Sequence, residues 1–180
     1  MHDSIVDSYT LMDEPFMRQF FDGRPDLAAI VLRAILGKPE LELATATTRR
    51  MAVCPDNRVE QFGVYCTDVE GGVYDIEFVR MADDPVGRGV LMSTLLMLER
   101  MHEAEDLGPF RSDSLPEANV VVVTDGDATG HGAAVARYTW TGGDTDTPLD
   151  KKVWLLFVNA AFNFEEGEVK TQRRPGKPRG

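Results

Sequence analysis

The stretch of residues 62–80, FGVYCTDVEGGVYDIEFVR, constrains the fold of this chain more than any other. It contains two runs rich in Val, Tyr, Phe and Ile, residues 62–69 and 73–79, with Gly71 and Gly72 between them. Branched and aromatic side chains favour strands, and a short glycine-containing turn between two such runs is typical of a β-hairpin. The stretch therefore predicts two neighbouring antiparallel strands.

Two acidic residues, Asp75 and Glu77, lie in the second predicted strand. Side chains two positions apart on a strand point to the same face, so both carboxylates are expected on one side of the sheet. There they could share a cation, and Asp13 or Glu14 could approach from a predicted first helix. The alternative is that both are ordinary polar residues at a sheet edge, or an inherited pair without a chemical role.

The remaining chain alternates between helical and extended patterns. Helices are predicted over residues 13–22, 25–36 and 86–105, with Gly23 and Gly37 ending the first two. The predicted core face of the second helix consists of Leu27, Ile30, Val31, Ala34 and Ile35. That of the third consists of Leu91, Leu95, Leu98 and Met101, widened by Leu96 and Met97.

Four further strands are predicted over residues 41–48, 119–124, 134–140 and 153–158. The run NVVVVT at 119–124 has no polar face, which is typical of a central strand covered by helices on both sides. Strands alternating with helices in this way indicate the α/β class.

Three other features of the sequence do not indicate a metal site or a catalytic residue. Asp56 follows Pro55 in a turn-forming segment. The acidic run at residues 125–130 has the start of a calcium loop, but Ala136 stands where the bidentate Glu would be, so we predict a turn there. No zinc-site spacing connects the three histidines, His2, His102 and His131.

The hairpin residues resemble one group of nucleases. Val64-Tyr65 and Tyr74-Asp75-Ile76-Glu77 fall without a gap on the pattern of the PD-(D/E)XK nuclease family transposases, also called recombination-promoting nucleases. That pattern is a metal-binding Asp, an apolar-Tyr pair, a turn, and Tyr-Asp-Ile-Glu-x-Gln. The likeness extends over about residues 9–160. It implies an α/β fold of the restriction-endonuclease-like kind, with a mixed central sheet flanked by helices.

The catalytic positions of that pattern are degenerate in this chain. Its Asp falls on Gly63 and its Gln on Val79, so Glu77 is the one motif residue that remains. In an intact site of this family, carboxylates bind Mg²⁺, which activates water and stabilises charge on the phosphate. The resemblance implies residual catalytic and metal-binding positions at Glu77 and Asp75. It also places Arg88 where the family has a basic residue, which makes it a candidate for partner binding.

Charge is unevenly distributed along the chain, whose net charge is −11. Residues 170–180 contain five basic residues and no acid, whereas residues 1–169 carry 14 basic and 30 acidic side chains, a net charge of −16. We predict one domain over residues 1–164 and a disordered basic tail over 165–180, in which Arg173 and Arg174 are candidate partner contacts. An acidic body repels nucleic acid at long range, although a locally basic groove could still bind it.

The sequence also predicts the cellular compartment. No apolar run approaches the roughly 18 residues of a membrane helix, and residues 1–10 lack the pattern of a secretory signal. Two cysteines, Cys54 and Cys66, do not make a disulfide framework, which favours a cytoplasmic protein with reduced thiols.

Three functions are consistent with these observations. The first is a degenerate nuclease or transposase relative that no longer cuts efficiently and acts by binding nucleic acid or a protein partner. The second is an acidic inhibitor whose charge imitates DNA and blocks a nucleic-acid-binding enzyme or defence nuclease. The third is an active Mg²⁺-dependent DNA nuclease in which another acid replaces the missing one.

Overall fold

The computed structural model describes residues 13–52, 60–105, 117–141 and 152–162. Within them the chain forms three α-helices: α1 (Glu14–Phe21), α2 (Pro25–Leu36) and α3 (Pro85–Glu105). The strands are β1 (Leu43–Ala52), β2 (Glu60–Asp68), β3 (Val73–Val79), β4 (Ala118–Thr124), β5 (Val135–Tyr138) and β6 (Val153–Asn159). A short 3₁₀ turn at Met81–Asp83 connects β3 to α3.

The strands form one sheet in the order β1-β2-β3-β4-β6-β5. β1, β2 and β3 pair antiparallel, β3, β4 and β6 run parallel, and β5 returns antiparallel on the far edge. The predicted α/β architecture, a mixed central sheet flanked by helices, is confirmed. All seven residues of β4 are buried, as the run NVVVVT predicts.

Each face of the sheet carries its own apolar core. One core contains α1, α2 and the side chains of Val64, Tyr74, Ile76 and Val121. The other contains α3 and the side chains of Val73, Val120 and Leu155, among others. Residues of β3 therefore alternate between the two cores, and Asp75 and Glu77 share the face with Val73 and Val79, towards α3.

The predicted β-hairpin is confirmed, and Asp68 organises its turn. The Asp68 Oδ1 atom accepts hydrogen bonds from the backbone N–H groups of Glu70 (2.9 Å) and Gly72 (2.6 Å). Its Oδ2 atom accepts one from the Tyr74 hydroxyl at 2.9 Å. Gly71 has φ of 88°, a conformation that favours glycine. The two glycines thus allow a tight connection, and one carboxylate accepts hydrogen bonds from all three donors.

The edge strand β1 is covered at its centre by the turn between α1 and α2. Gly23 donates its backbone N–H to the Ala46 carbonyl, at 3.0 Å. The Asp22 carboxylate accepts hydrogen bonds from the Thr48 N–H and hydroxyl groups, both at 2.9 Å. Unpaired edge groups are a template for association with other strands, so these contacts limit pairing at this edge.

The predicted core face of α2 is partly wrong. Ala28, Ala29 and Leu32 are the buried residues, whereas Ile30 is 59% exposed and Ala34 is also exposed. Val31 and Ile35 do pack against the core, and Leu27 is half-buried. Residues 27–32 are all apolar, so periodicity alone does not select a face. The small side chains of Ala28 and Ala29 permit a close approach to the sheet, which favours the face that they lie on.

The predicted core face of α3 is partly wrong. Leu96 is buried and Leu95 and Met97 pack against the core, as predicted, whereas Leu91 is 39% and Leu98 55% exposed. The side chain of Met101 lies outside the described part of the structure. The buried face of α3 also includes Met92 and three polar residues, Arg88, Ser93 and Arg100. Because polar residues are expected to face solvent, the apolar pattern does not identify this face completely.

The Asp125–Gly130 segment is a turn, as predicted, and its carboxylates are engaged in hydrogen bonds with the chain itself. Asp125 accepts a hydrogen bond from the Met81 N–H at 2.7 Å. Asp127 accepts hydrogen bonds from the N–H groups of Thr129, Gly130 and Gly132. The hydrogen bonds that Asp127 accepts order the loop that follows β4.

Gly89 sets the distance between α3 and the sheet, because a Cβ atom there would lie 2.9–3.0 Å from Leu155, Phe157 and Val122. We predict that Gly89→Ala lowers the free energy of unfolding by up to about 2 kcal/mol, since overpacking costs roughly 1–3 kcal/mol and helix propensity returns about 1. Urea unfolding monitored by tryptophan fluorescence measures it. The matched control is Gly87→Ala, whose Cβ would meet the exposed Asp84 carboxylate, which accepts a hydrogen bond from the Gly87 N–H, rather than the apolar core. A control that is as damaging as Gly89→Ala would contradict this explanation.

Candidate functional site

The register of the hairpin brings the motif positions together. Gly63 on β2 lies directly opposite Glu77 on β3, and Tyr65 lies opposite Asp75. Position 63 and Glu77 are therefore direct neighbours across the two strands. A Cβ atom at position 63 would collide with the Glu77 Oε1 atom. The space that a side chain at 63 would need is occupied by the Glu77 carboxylate.

Glu77 forms an ion pair with Arg88 inside the protein. The Glu77 Oε2 atom accepts hydrogen bonds from the Arg88 Nε atom at 3.2 Å and the Nη2 atom at 3.0 Å. The side chains are 4% and 3% exposed, respectively. The Arg88 Nη1 atom is buried without a hydrogen-bond partner among the described residues. Arg88 thus lies in the interior, in the first turns of α3, rather than on a surface open to a partner.

Asp75 lies one step along β3 and has a different environment. Its carboxylate is buried, with the residue 3% exposed, and no hydrogen bond reaches it from the described part of the chain. It borders a cavity of about 330 Å³ between α3 and β1. The other lining residues are Arg49, Met92, Leu95, Leu96, Leu98 and Glu99. Asp75 is therefore the acidic group at the base of a small, mostly apolar cavity.

A cation and an anion stand at the mouth of this cavity. The Arg49 guanidinium carbon lies 3.4 Å from the centre of the Tyr65 ring, a cation–π contact. Its Nη1 atom is 3.4 Å from the Glu99 Oε1 atom, and both side chains are 40% or more exposed. Because Arg49 and Glu99 join β1 to α3, they partly close the gap above Asp75.

Burial changes the protonation of both interior acids. It raises the pKa of Asp75 to about 6, while Arg49 opposes the shift. It also raises the pKa of Glu77 to about 8, with repulsion from Asp75 added and the Arg88 guanidinium acting in the opposite direction. Because the two acids are coupled, these values belong to the pair: near neutral pH it holds one proton and one negative charge, and Arg88 compensates that charge. A divalent cation would have to displace that proton.

The other predicted positions do not complete a metal site. Val79 is buried in the apolar core beneath α3. Asp13 lies at the start of α1 without capping it through its side chain, and its carboxylate accepts a hydrogen bond from Arg80 at 3.0 Å. Within the described residues, no three His, Cys, Asp or Glu side chains form a group that could hold a metal ion. The side chain of Glu14, and all of Asp56, Arg173 and Arg174, lie outside the described part of the structure.

Asp75 and Glu77 are recognisable in the sequence, whereas the residues that surround them are not. Arg88 is predicted to contact a partner, although an arginine at the start of a helix that follows an acidic strand is also placed to pair with an acid of that strand. Arg49 and Glu99 are not identified, because they are 50 residues apart and meet through packing alone. Cys66 is buried, which raises the pKa of its thiol to about 12, so it is not a nucleophile. Cys54 lies outside the described residues.

Comparison of the chain with protein-family models, with curated proteins and with solved structures gives no match in any of the three. The likeness to PD-(D/E)XK nucleases over about residues 9–160 therefore depends on the sequence pattern alone and stays a prediction. Among the described residues, no helix combines the length and the apolar character that crossing a membrane requires.

The Glu77–Arg88 pair gives a prediction about stability. Arg88→Leu leaves a carboxylate buried without its cation, and removing one partner of such a pair costs about 3–5 kcal/mol. Replacing both residues by Leu removes both charges, so we expect the double variant to unfold at higher urea concentration than Arg88→Leu alone. Urea unfolding of the wild type, both single variants and the double variant gives the coupling free energy. Additive costs of the two single substitutions would show that the pair is not coupled.

The raised pKa values give a prediction about pH. Free Asp and Glu lose their protons near pH 4, whereas the folded pair holds one towards pH 8. Between these values the folded state binds more protons than the unfolded state, so the free energy of unfolding decreases as pH rises from 5 to 8. Asp22, Asp26 and Asp127 act at lower pH, because hydrogen bonds lower the pKa of each.

Asp75→Asn tests the source of this dependence. It removes one acid and its repulsion of Glu77, so the decrease in stability between pH 5 and 8 should become shallower. Urea midpoints at four pH values measure the effect, and Asp83→Asn, which changes an exposed carboxylate, is the matched control. An unchanged slope in Asp75→Asn would show that the buried pair does not hold the proton.

Proposed function

We propose that this protein is a degenerate relative of the PD-(D/E)XK nuclease and transposase family that acts by binding and does not cut nucleic acid efficiently. One observation carries the proposal: Glu77, the one motif residue that remains, is neutralised by Arg88 in the interior. A carboxylate held in this way offers less charge to a metal ion than one that faces water or a substrate.

The positions around Glu77 support the same proposal. Mg²⁺ prefers oxygen ligands in a near-octahedral arrangement, and neither Gly63 nor Val79 supplies a side-chain oxygen. Disturbing even a partner that orients a metal ligand typically costs about 10-fold to 100-fold in affinity or activity. The missing Asp at position 63, the missing Gln at position 79, an internal ion pair and a retained proton together favour an inactive site.

The cavity above Asp75 offers nucleic acid no net positive charge at its mouth. The cavity above Asp75 has one exposed arginine at its mouth, Arg49, and Glu99 beside it cancels its charge. In this proposal nucleic acid would therefore be contacted mainly by the basic residues of the tail, including Arg173 and Arg174. Contacts of that kind weaken steeply as salt is added.

An acidic groove favours a second candidate function, that of an acidic inhibitor. A cavity of about 400 Å³ at the hairpin-turn end of the sheet is lined by Glu40, Glu42, Asp68, Glu70 and Glu117. Lys38 is the basic residue of this lining, and it is paired with Glu117 at 2.7 Å. The groove is therefore net negative, which suits a basic surface on a nucleic-acid-binding enzyme.

Nicking of supercoiled plasmid tests whether the site is catalytic. We expect full-length protein with Mg²⁺ or Mn²⁺ to nick DNA no faster than the Glu77→Gln variant, which keeps the shape of the side chain and removes its charge. Agarose electrophoresis over a time course measures the rate. Metal-dependent nicking at least 10-fold above that of Glu77→Gln would overturn the proposal and favour an active nuclease with a replacement acid.

The same samples separate the two binding functions. Gel retardation of the plasmid that weakens between 50 and 200 mM salt, and is lost in full-length Arg173→Ala/Arg174→Ala, supports nucleic-acid binding by the tail. No retained DNA, together with a stoichiometric complex with a basic nuclease in size-exclusion chromatography, favours the acidic inhibitor.

A further inference from the structure

A second cavity lies on the same face of the sheet, beside the N-terminal half of α3. Its volume is about 350 Å³, within the range of small-molecule sites. Most of its wall is apolar, and the large side chains are Val86, Val90, Tyr138, Trp140, Leu155 and Phe157. Neither Asp75 nor any other residue of the cavity beneath Arg49 contributes to it. It is therefore a separate site, independent of the function proposed above.

Three features hold this cavity open. Gly89 brings α3 close to Leu155 and Phe157, so the helix is fixed against one wall. The Tyr138 and Phe157 rings meet edge to face at 5.7 Å and 81°, which fixes the angle between two aromatic walls. The loop that carries the lining residues Ala128 and Thr129 is ordered by the Asp127 carboxylate. The shape is thus largely formed before any ligand arrives.

The chemistry of the walls selects the class of ligand. All nine lining residues are uncharged, so an ionic ligand would lose its hydration without gaining an opposite charge. Tyr138, Trp140 and Phe157 offer aromatic faces and edges, against which a planar ring packs better than a branched aliphatic chain. The polar groups of the wall are hydroxyls, the Trp140 indole N–H and backbone groups, which can orient a ligand but cannot neutralise a charge on it.

We propose that this cavity binds an uncharged small molecule built on planar aromatic rings. Val86 and Val90 are 43% and 41% exposed, so the cavity is accessible from solvent. A ligand there covers apolar surface that α3 leaves open, and this burial supplies the driving force.

Two dyes with the same framework test the proposal on the full-length protein. N-phenyl-1-naphthylamine is neutral, and 1-anilinonaphthalene-8-sulfonate adds one sulfonate to it. In 150 mM salt, which screens the long-range repulsion by the acidic protein, we expect saturable 1:1 binding of the neutral dye and at least 10-fold weaker binding of the sulfonate. Dye fluorescence measures both. In a Trp154→Phe background, the neutral dye should also quench the remaining Trp140.

A second experiment fills the cavity by substitution. Val90→Phe should weaken the neutral dye at least 10-fold, whereas Leu98→Phe, on the same helix and outside the lining, should change it less than twofold. Ala128→Leu fills the cavity from the opposite wall. If circular dichroism shows that Val90→Phe is unfolded, Ala128→Leu is measured in its place. Non-saturable binding, equal affinity for the two dyes, or binding that survives both filling variants would overturn the proposal.

Discussion

The ion pair between Glu77 and Arg88 is the contact on which the arrangement of this fold depends. A buried carboxylate or guanidinium is costly by itself, and each makes the other tolerable only at short range. Glu77 is fixed by its place in the central part of the sheet, so Arg88 has to reach it from α3. This requirement sets the rotation of the helix about its axis. Gly89 then permits the close approach that brings the guanidinium within hydrogen-bonding distance.

Gly63 belongs to the same arrangement. The Glu77 carboxylate lies over Gly63, and no β-carbon fits between them. An Asp at position 63 would bring a third carboxylate next to Asp75 and Glu77. Arg88, the buried cation beside them, already pairs with Glu77. Without a divalent cation that site would be strongly self-repelling. Gly63 and Arg88 therefore both accommodate the buried Glu77 carboxylate, one by leaving space for it and the other by compensating its charge.

Much of this fold can be predicted from local sequence, because its signals are local. The two glycines between strand-forming runs predict the hairpin, and the unbroken run of valines in β4 predicts the centre of the sheet. Alternation along β3 places Asp75 and Glu77 on one face. The faces of α2 and α3 could not be predicted in the same way. Their orientation is decided by close packing and by a polar contact 11 residues away in sequence, and neither contributes to hydrophobic periodicity.

The candidate site shows the same division between local and distant information. Its acids are recognisable in the sequence. The role of Arg49 is not, since Arg49 approaches Asp75 from an edge strand that precedes the hairpin. Long-range packing thus decides the protonation and the exposure of the acids, and with them whether the site can hold a metal.

The orientation of α3 can be explained by comparing magnitudes. Turning the helix to bury Leu91 and Leu98, which are 39% and 55% exposed, would recover roughly 1 kcal/mol from each, about half the value of fully burying a leucine. The same rotation would separate Arg88 from Glu77 and leave buried charge unpaired, at a cost of about 3–5 kcal/mol. The ion pair therefore prevails over the apolar pattern. The leucines stay at the surface because the polar contact beneath the helix outweighs them.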